Sequence, residues 1–300
     1  MNEFSLIDTY FKSIATSRDD VVFGIGDDAA CLLVPSDQEL LISTDTLVAD
    51  VHFSSDWDAF DIAYKAVMVN VSDIIAMAGI PCWLTLALTL PELDDAWLER
   101  FSLGLKEALN AFNIALIGGD TTRGPLSLTI TIHGLVPRGK AVRRIGACID
   151  DGIYVTGTLG LAAMALETKD PMLQTALKRP KPSLLWVSLL QQYASSAIDV
   201  SDGLLADLNH ICERSQLGAC LQLADVPCQP GALTYALYGG DDYELCFTVP
   251  KHKEADFLQA LTQISQKVYC IGRMISDLGL KGVDASGETV ALEPRGYQHF

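Results

Sequence analysis

Basic side chains are scarce in this chain of 300 residues: 21 Lys plus Arg stand against 38 Asp plus Glu, for a net charge of -17. Such a surface repels a polyanion, which excludes nucleic acid or an acidic membrane face as a general partner and favours a protein that concentrates cations. Long apolar runs are missing as well. The most apolar segment, Ala59 to Leu90, is interrupted by Asp61, Lys65, Asn70, Asp73 and Pro81, so no membrane span is expected. The start, MNEFSLIDTYF, carries Glu3 and has no apolar core, so it does not read as a secretory signal. The eight cysteines (31, 82, 148, 212, 220, 228, 246 and 270) form no CxxC pair, and no His stands at zinc spacing from them. They read as reduced thiols of a cytoplasmic protein, not as staples. Several catalytic signatures are absent too. There is no GxxxxGK[ST] loop, no GxGxxG opening a helix, no HRD or DFG pattern and no GxSxG elbow.

A hydrophobic fraction of 49% over 300 residues describes a globular chain with room for about two domains. Periodicity predicts a short amphipathic helix over Leu6–Ile14, β-like runs at Cys31–Val34 and Leu40–Ser43, and a helix over Asp58–Ala78 stopped by Gly79 and Pro81. A strand Trp83–Leu90, a helix Asp94–Phe112, and strands Ile114–Ile117 and Leu126–Val136 around the turn GGDTTRGP follow. The segment PRGKAVRRIGACIDDG is the most basic of the chain and has no regular pattern, so the domain boundary is placed there, dividing 1–138 from 139–300. Beyond it come strand Ile153–Thr156, helices Leu161–Glu167 and Ser183–Tyr193, and strand-turn-helix in AIDVSDGLLADLNHICERS. Strand Tyr243–Val249, helix Glu254–Ile264 and strand-like pieces near Val268 and Gly282 complete it. Helices and strands mix without a strict βαβα rhythm, which predicts an α+β fold.

Six aspartates stand out by their setting: Asp28 in GIGDDAA, Asp45 in STDT, Asp73 in NVSDI, Asp120 in GGDT, and Asp199 and Asp202 in IDVSDG. Each alone reads first as an ordinary turn residue, Asx-turn or helix cap, and only their joint occurrence points to function. Asp73 is harder to explain so, because it lies on a largely apolar helix face and carboxylates are seldom buried without a partner. If several converge, each like-charged pair at about 4 Å costs roughly 4 kcal/mol at an effective dielectric near 20. Bound divalent cations or protons must then offset it, and an all-oxygen donor set points to Mg²⁺. Glycines punctuate strand ends, and YVTGTLGLAAMAL reads equally as an anion cradle or as an ordinary β-to-α turn. Among the few basic groups, Arg123 follows GGDTT, and Arg143 and Arg144 lie in the interdomain segment. Arg144 has the better claim to a phosphate. His52, just past Asp45 and Asp50, is either structural or a substrate contact.

The motifs GIGDDAA, ISTDTLVADVHF, KAVMVNVSDIIAMAG, LIGGDTTRGPLSLTITIHG, YVTGTLG, AIDVSDGLLADL, GGDDYELCFTV and GYQHF resemble, in this order, those of the thiamine-monophosphate kinase family, from Phe4 to Phe300. The resemblance implies the two-domain fold of the aminoimidazole ribonucleotide synthetase-like superfamily, its N-terminal domain contributing strands to a β-barrel in a homodimer. It implies transfer of the γ-phosphoryl of ATP to thiamine monophosphate with several Mg²⁺ ions. By position, the metal ligands are Asp28, Ser43, Thr44, Asp45, Asp73, Asp120, Asp199 and Asp202, with Asp45, Asp73 and Asp120 central to catalysis. Nucleotide contacts fall on Gly119, Asp120, Arg144 and Ser201. The thiamine phosphate lies near His52, Asp241 and Tyr297. Asp241 stands where the family has Glu. Two alternatives remain open at this level: another ATP-dependent reaction of the superfamily (cyclising, amidating or selenophosphate-forming), or a non-catalytic Mg²⁺- and nucleotide-binding module. A selenophosphate enzyme would need a reactive Cys near the N-terminus, and Cys31 lies in an apolar run instead.

Overall fold

The computed structural model describes residues 3–14 and 17–298. It divides into two compact units: one takes the chain up to Ile74 and again Gly79–Gly139, the other Ile75–Ala78 and the chain from Lys140 onward.

The first unit opens with α1 (Glu3–Leu6), which runs into a π turn (Ile7–Phe11) and a 3₁₀ turn (Lys12–Ile14), so the expected helix is broken into three pitches. A small antiparallel pair, β1 (Val21–Phe23) and β2 (Cys31–Leu32), follows. Then come β3 (Gln38–Val48), α2 (Ala59–Ala76), β4 (Ile80–Leu90), α3 (Asp95–Phe112), β5 (Ala115–Arg123) and β6 (Ser127–Pro137). They build a sheet in the order β3-β6-β4-β5, antiparallel except for the helix-connected pair β4–β5.

Two strands run further than their apolar cores suggest. β3 continues through Ser43-Thr44-Asp45-Thr46, because Thr44 and Thr46 pair across the ladder with the hydroxyls of Thr131 and Thr129 at 2.9 and 2.8 Å. Asp45 is therefore mid-strand, not just past a strand end. β5 likewise absorbs GGDTTR, and the turn is displaced to Gly124-Pro125. β-branched threonines suit a pleated, half-buried surface, which is why polar composition did not end these strands.

The sheet's two faces differ. Leu84, Leu86 and Leu88 of β4 and Leu128, Ile130 and Ile132 of β6 are buried. Ile74 of α2 sits on this side, where a Cβ on Gly134 of β6 would come within 2.4 Å of it. The alternate face leaves Leu40 and Ile42 exposed, at 41% and 60%. α2 itself is buried nearly all round, and α3 crosses it so closely that a Cβ on Gly104 would lie 2.2 Å from the Phe60 carbonyl oxygen. α3 is capped by Asp94, whose carboxylate accepts from the Ala96 and Trp97 amides, and it ends at Asn113 in the left-handed region. Such a cap is worth about 1 kcal/mol.

The second unit holds β7 (Gly152–Thr156), α4 (Leu161–Thr168), α5 (Gln174–Lys178), α6 (Leu185–Tyr193), β8 (Ser196–Val200), α7 (Leu204–Ser215) and β9 (Gly218–Gln222). After these come α8 (Leu233–Tyr238), β10 (Glu244–Val249), α9 (Glu254–Leu261), β11 (Val268–Ile275), β12 (Gly279–Val283) and β13 (Thr289–Leu292). A seven-stranded sheet runs β13-β12-β9-β11-β7-β10-β8, with β12–β9 its parallel pair. Apolar residues of α7 (Leu204, Leu205, Leu208, Ile211) close one core against Ile153, Val155, Ile198, Cys246 and Ile271 of the sheet. β9 and β13, α5 and α8 are short and carry no strong period, so sequence pattern did not single them out. All eight cysteines are free thiols. No helix among the described residues is long and apolar enough to cross a membrane. The two units, each mixing helices with mostly antiparallel sheet, agree with the α+β reading.

Candidate active site

In the first unit the sequence brings acids to one face of β3. Period-2 alternation points Ser43 and Asp45 to the same side and Thr44 to the other. On their side lies Asp73, the half-buried position in an otherwise buried stretch of α2. Ser43 Oγ donates to Asp73 Oδ2 at 2.5 Å. Burial, then the charge of Asp73 and a shared hydrogen bond with it, push the Asp45 carboxyl up to about 6. Two carboxyls in one half-buried site cannot both ionise cheaply. They hold either a proton between them or a cation, and hard oxygen donors on a rigid strand and helix suit a divalent ion such as Mg²⁺.

The other acids of this unit are placed differently. Asp45 shares one transverse row with Ile130, Leu86 and Gly119, across β3, β6, β4 and β5. At the usual strand spacing that row puts Gly119, and Asp120 beside it, about 14 Å from Asp45. Asp120 is exposed on β5, too far along the sheet to share one ion with Asp45. Asp28 lies in the exposed turn after Gly26, and Gly24 of that turn packs on the Ile117 backbone of β5. Among the described residues no group of three or more His, Cys, Asp or Glu is gathered as a ready-made metal centre. Gly119 has φ +153°, and a Cβ there would sit 1.9 Å from the Leu86 carbonyl oxygen, so this glycine is dictated by the close approach of β5 to β4. His52 accepts the Val48 amide through Nδ1 at 3.0 Å, which places its own ring proton on Nε2.

The second unit gathers its candidates around the turn between β8 and α7. Asp199 is buried at the end of β8, opposite Leu245. Ser201 and Asp202 form the turn, and Gly203 leads into α7 with φ +125°. Asp241, at φ +71°, donates its amide to the Ser201 carbonyl, and its carboxylate accepts from the Tyr243 hydroxyl at 2.9 Å. Asp tolerates this left-handed backbone better than most residues. The C-terminal segment reaches the same turn: the Tyr297 amide donates to the Asp202 carbonyl at 3.0 Å, and its side chain is 47% exposed. The last two residues of GYQHF, His299 and Phe300, lie outside the described residues. Arg144 is exposed on the irregular segment that the Ala197 amide holds beside β8 through the Arg143 carbonyl.

Three acids that the sequence reading passed over are structural neighbours of these residues. Asp207, in the first turns of α7, accepts from the amides of Ser201, Asp202 and Gly203. Burial and the charge of Asp202 raise its carboxyl to about 7 against the pull of those donors. Asp242 accepts the Gly160 amide at 2.7 Å at the start of α4, and burial drives it up to about 7. Glu244 accepts the Thr156 hydroxyl and fills the space beside Gly157. The TGTLG turn is thus capped by the chain's own carboxylates. An anion cradle needs open N–H groups and a positive helix start. Here that position is occupied by a carboxylate, so the segment is a braced β-to-α turn. The signal was present as acids repeated in SDGLLAD and GGDDYEL, although sequence could not say which carboxylate faces inward.

Comparison with known proteins gives the family of the chain. Residues 26–136 match the model of the AIR synthase related protein N-terminal domain, and residues 149–284 that of the C-terminal domain. The chain is 49% identical to the thiamine-monophosphate kinase of Escherichia coli strain K12, covering 99% of this chain and 98% of that one. The crystal structure of thiamine-monophosphate kinase from Stenotrophomonas maltophilia K279a superposes with a TM-score of 0.87 at 40% identity, covering 96% and 98% of the two chains. A structure of AaThiL complexed with AMPPCP and TMP superposes with a TM-score of 0.78 at 30% identity, covering 99% and 97%. With matches this long in both sequence and fold, the chain belongs to the thiamine-monophosphate kinase family of AIR synthase related proteins.

Proposed function

We propose that the protein phosphorylates thiamine monophosphate to thiamine diphosphate with ATP, in thiamine diphosphate biosynthesis. The observation that carries this reading is the half-buried Ser43–Asp73–Asp45 group, a site that favours a divalent cation, in a chain whose relatives are thiamine-monophosphate kinases.

Asp28, Ser43, Thr44, Asp45, Asp73, Asp120, Asp199 and Asp202 would hold several Mg²⁺ ions. Thr44 points its side chain to the opposite face from Ser43 and Asp45, so it would serve an ion there or bind through its carbonyl. Bound magnesium screens the charge of two anionic reactants. An acceptor phosphate oxygen, already ionised near neutral pH, forms the new bond to the γ-phosphorus of ATP. The bond to the β–γ bridging oxygen breaks and ADP leaves. No proton moves in this step, so the lack of a catalytic His or Lys is no obstacle, and the work is positioning. Gly119, Asp120, Arg144 and Ser201 would contact the nucleotide. Because Asp207 already takes the Ser201 amide, the Ser201 contact falls on its hydroxyl, whereas Gly119 offers only its backbone. The Nε2–H of His52 would donate to the acceptor, with Asp241 and Tyr297 at its organic end.

The open face of the β3-β6-β4-β5 sheet supports a homodimer. It exposes Leu40 and Ile42, carries the threonine ladder, and leaves His133 Nδ1 buried with no hydrogen-bond partner among the described residues. A cytoplasmic location agrees with free thiols and a biosynthetic role. The test is a coupled assay with ATP, Mg²⁺ and thiamine monophosphate against free thiamine. Thiamine diphosphate should form from the monophosphate alone. ADP release with another product would favour a different superfamily reaction, and binding without turnover a non-catalytic module.

A further inference from the structure

The turn Val200–Gly203 is joined by three other segments of its unit. Asp207 Oδ2 takes the amides of Ser201, Asp202 and Gly203 at 3.0, 3.0 and 3.1 Å. From a second side, the amides of Asp241 and Tyr243 donate to the carbonyls of Ser201 and Val200, both at 2.8 Å. That loop lies so close that a Cβ on Gly240 would be 2.3 Å from the Ser201 carbonyl oxygen. From a third, the Tyr297 amide donates to the Asp202 carbonyl, and a Cβ on Gly296 would be 2.5 Å from the same oxygen. The carbonyls of Val200, Ser201 and Asp202 thus carry the loop and the C-terminal segment, while the amides of Ser201, Asp202 and Gly203 converge on one carboxylate.

Three successive N–H groups aimed at one point form a nest that favours an anion. Here one carboxyl oxygen from within the chain occupies that point and fixes the peptide planes, and the planes set the direction of the carbonyls on their other edges. We infer that Asp207 is a positioning residue for the reaction: by holding three amides it orients both the Ser201–Asp202 pair and the segments carrying Asp241 and Tyr297. The inference rests on the proposed function for the roles of those four residues, whereas the clamp itself is independent of it. Asp207 would touch neither substrate nor metal. Its loss should loosen the nucleotide-and-metal side and the acceptor side together, which no single contact residue would do.

The test compares Asp207→Ala, which removes the acceptor, with Asp207→Asn, which keeps an oxygen in place without the charge. Amide hydrogen exchange is read at residues 201–203, 241, 243 and 297, with Phe247 in β10 as an internal reference. Calorimetry reads the affinity for Mg²⁺–AMPPCP, and steady-state kinetics read the KM for ATP and for thiamine monophosphate. In Asp207→Ala those amides should exchange at least tenfold faster with Phe247 unchanged. The Kd for Mg²⁺–AMPPCP and both KM values should rise about tenfold, and Asp207→Asn should restore most of each. A folded Asp207→Ala chain with wild-type exchange and affinity overturns the inference. Faster exchange spread evenly over the unit, Phe247 included, overturns it in favour of a purely structural role. If Asp207→Ala does not fold, Asp207→Ser, whose hydroxyl is too short to reach all three amides, decides: local acceleration with a severalfold weaker Kd supports the clamp, and wild-type values in both overturn it. A wild-type chain that makes no thiamine diphosphate sinks the functional reading, yet the exchange pattern and nucleotide affinity still report on the clamp.

Discussion

Replacing Asp45 by Asn should make the metal-free protein more stable and nearly inactive. The Asp45 carboxyl stands at about 6 instead of its ordinary 3.8, from burial and from Asp73. The folded state therefore holds this proton more tightly than the unfolded state. Its contribution to stability is fully present below 3.8 and is lost as pH rises through about 6. Well above that point, ionising Asp45 in the fold costs about 3 kcal/mol. Asparagine has no charge to bury but gives up part of the hydrogen bonding with Asp73, about 1 kcal/mol. The net gain at pH 7.5 is about 2 kcal/mol, and it should shrink by about the same amount at pH 4.5. For a chain of 300 residues that is a rise in Tm of about 3 °C. Thermal unfolding in EDTA at the two pH values reads it directly. Added Mg²⁺ should raise the Tm of the wild type at pH 7.5 and do much less for Asp45→Asn. Turnover of the variant should fall on the order of 100-fold or more, as for loss of a central electrostatic group. Two results would refute the reasoning: equal destabilisation of Asp45→Asn at both pH values, or unchanged turnover at saturating Mg²⁺.

Further perturbations follow from the same geometry. Gly119→Ala would drive a Cβ into the Leu86 carbonyl and should cost more than about 2 kcal/mol in urea unfolding, because two strand backbones cannot both shift. Asp242→Ala strips the Gly160 amide of its acceptor at the start of α4, a loss of about 1–3 kcal/mol by the same measurement. Because the Asp242 carboxyl is raised from 3.8 to about 7, its contribution is complete below 3.8 and fades as pH climbs through about 7. The penalty of Asp242→Ala should therefore be larger at pH 5 than at pH 8. Ile42→Asp puts a charge on the open sheet face and should convert a dimer to a monomer in light scattering; an unchanged mass would dismiss that face as the interface.

Most of the element order was legible in the chain itself. Apolar periodicity, the acidic start at Asp94 and the Gly79–Pro81 stop located α2, α3 and the cores of β4 and β6. Absences were as informative: the lack of a Walker lysine and of a zinc pattern turned the expectation for any phosphate chemistry toward carboxylates and a hard cation. Local sequence also singled out Asp45 and Asp73, twenty-eight positions apart, as acids in apolar settings. What it could not supply was distance. Only the packing of α2 on β3 makes Ser43, Asp45 and Asp73 one group, and only the strand order β3-β6-β4-β5 holds Asp120 apart from them. The TGTLG and VSDG turns are a similar case. Glycine and helix periodicity mark such turns in any sequence, but whether their amides await a phosphate or hold an internal carboxylate depends on Asp242 and Asp207, which reach them through the fold. Propensity and pattern are short-range properties of the chain and survive without tertiary contacts. Charge pairing, burial and the destination of each amide are properties of surfaces that meet only when the chain has folded.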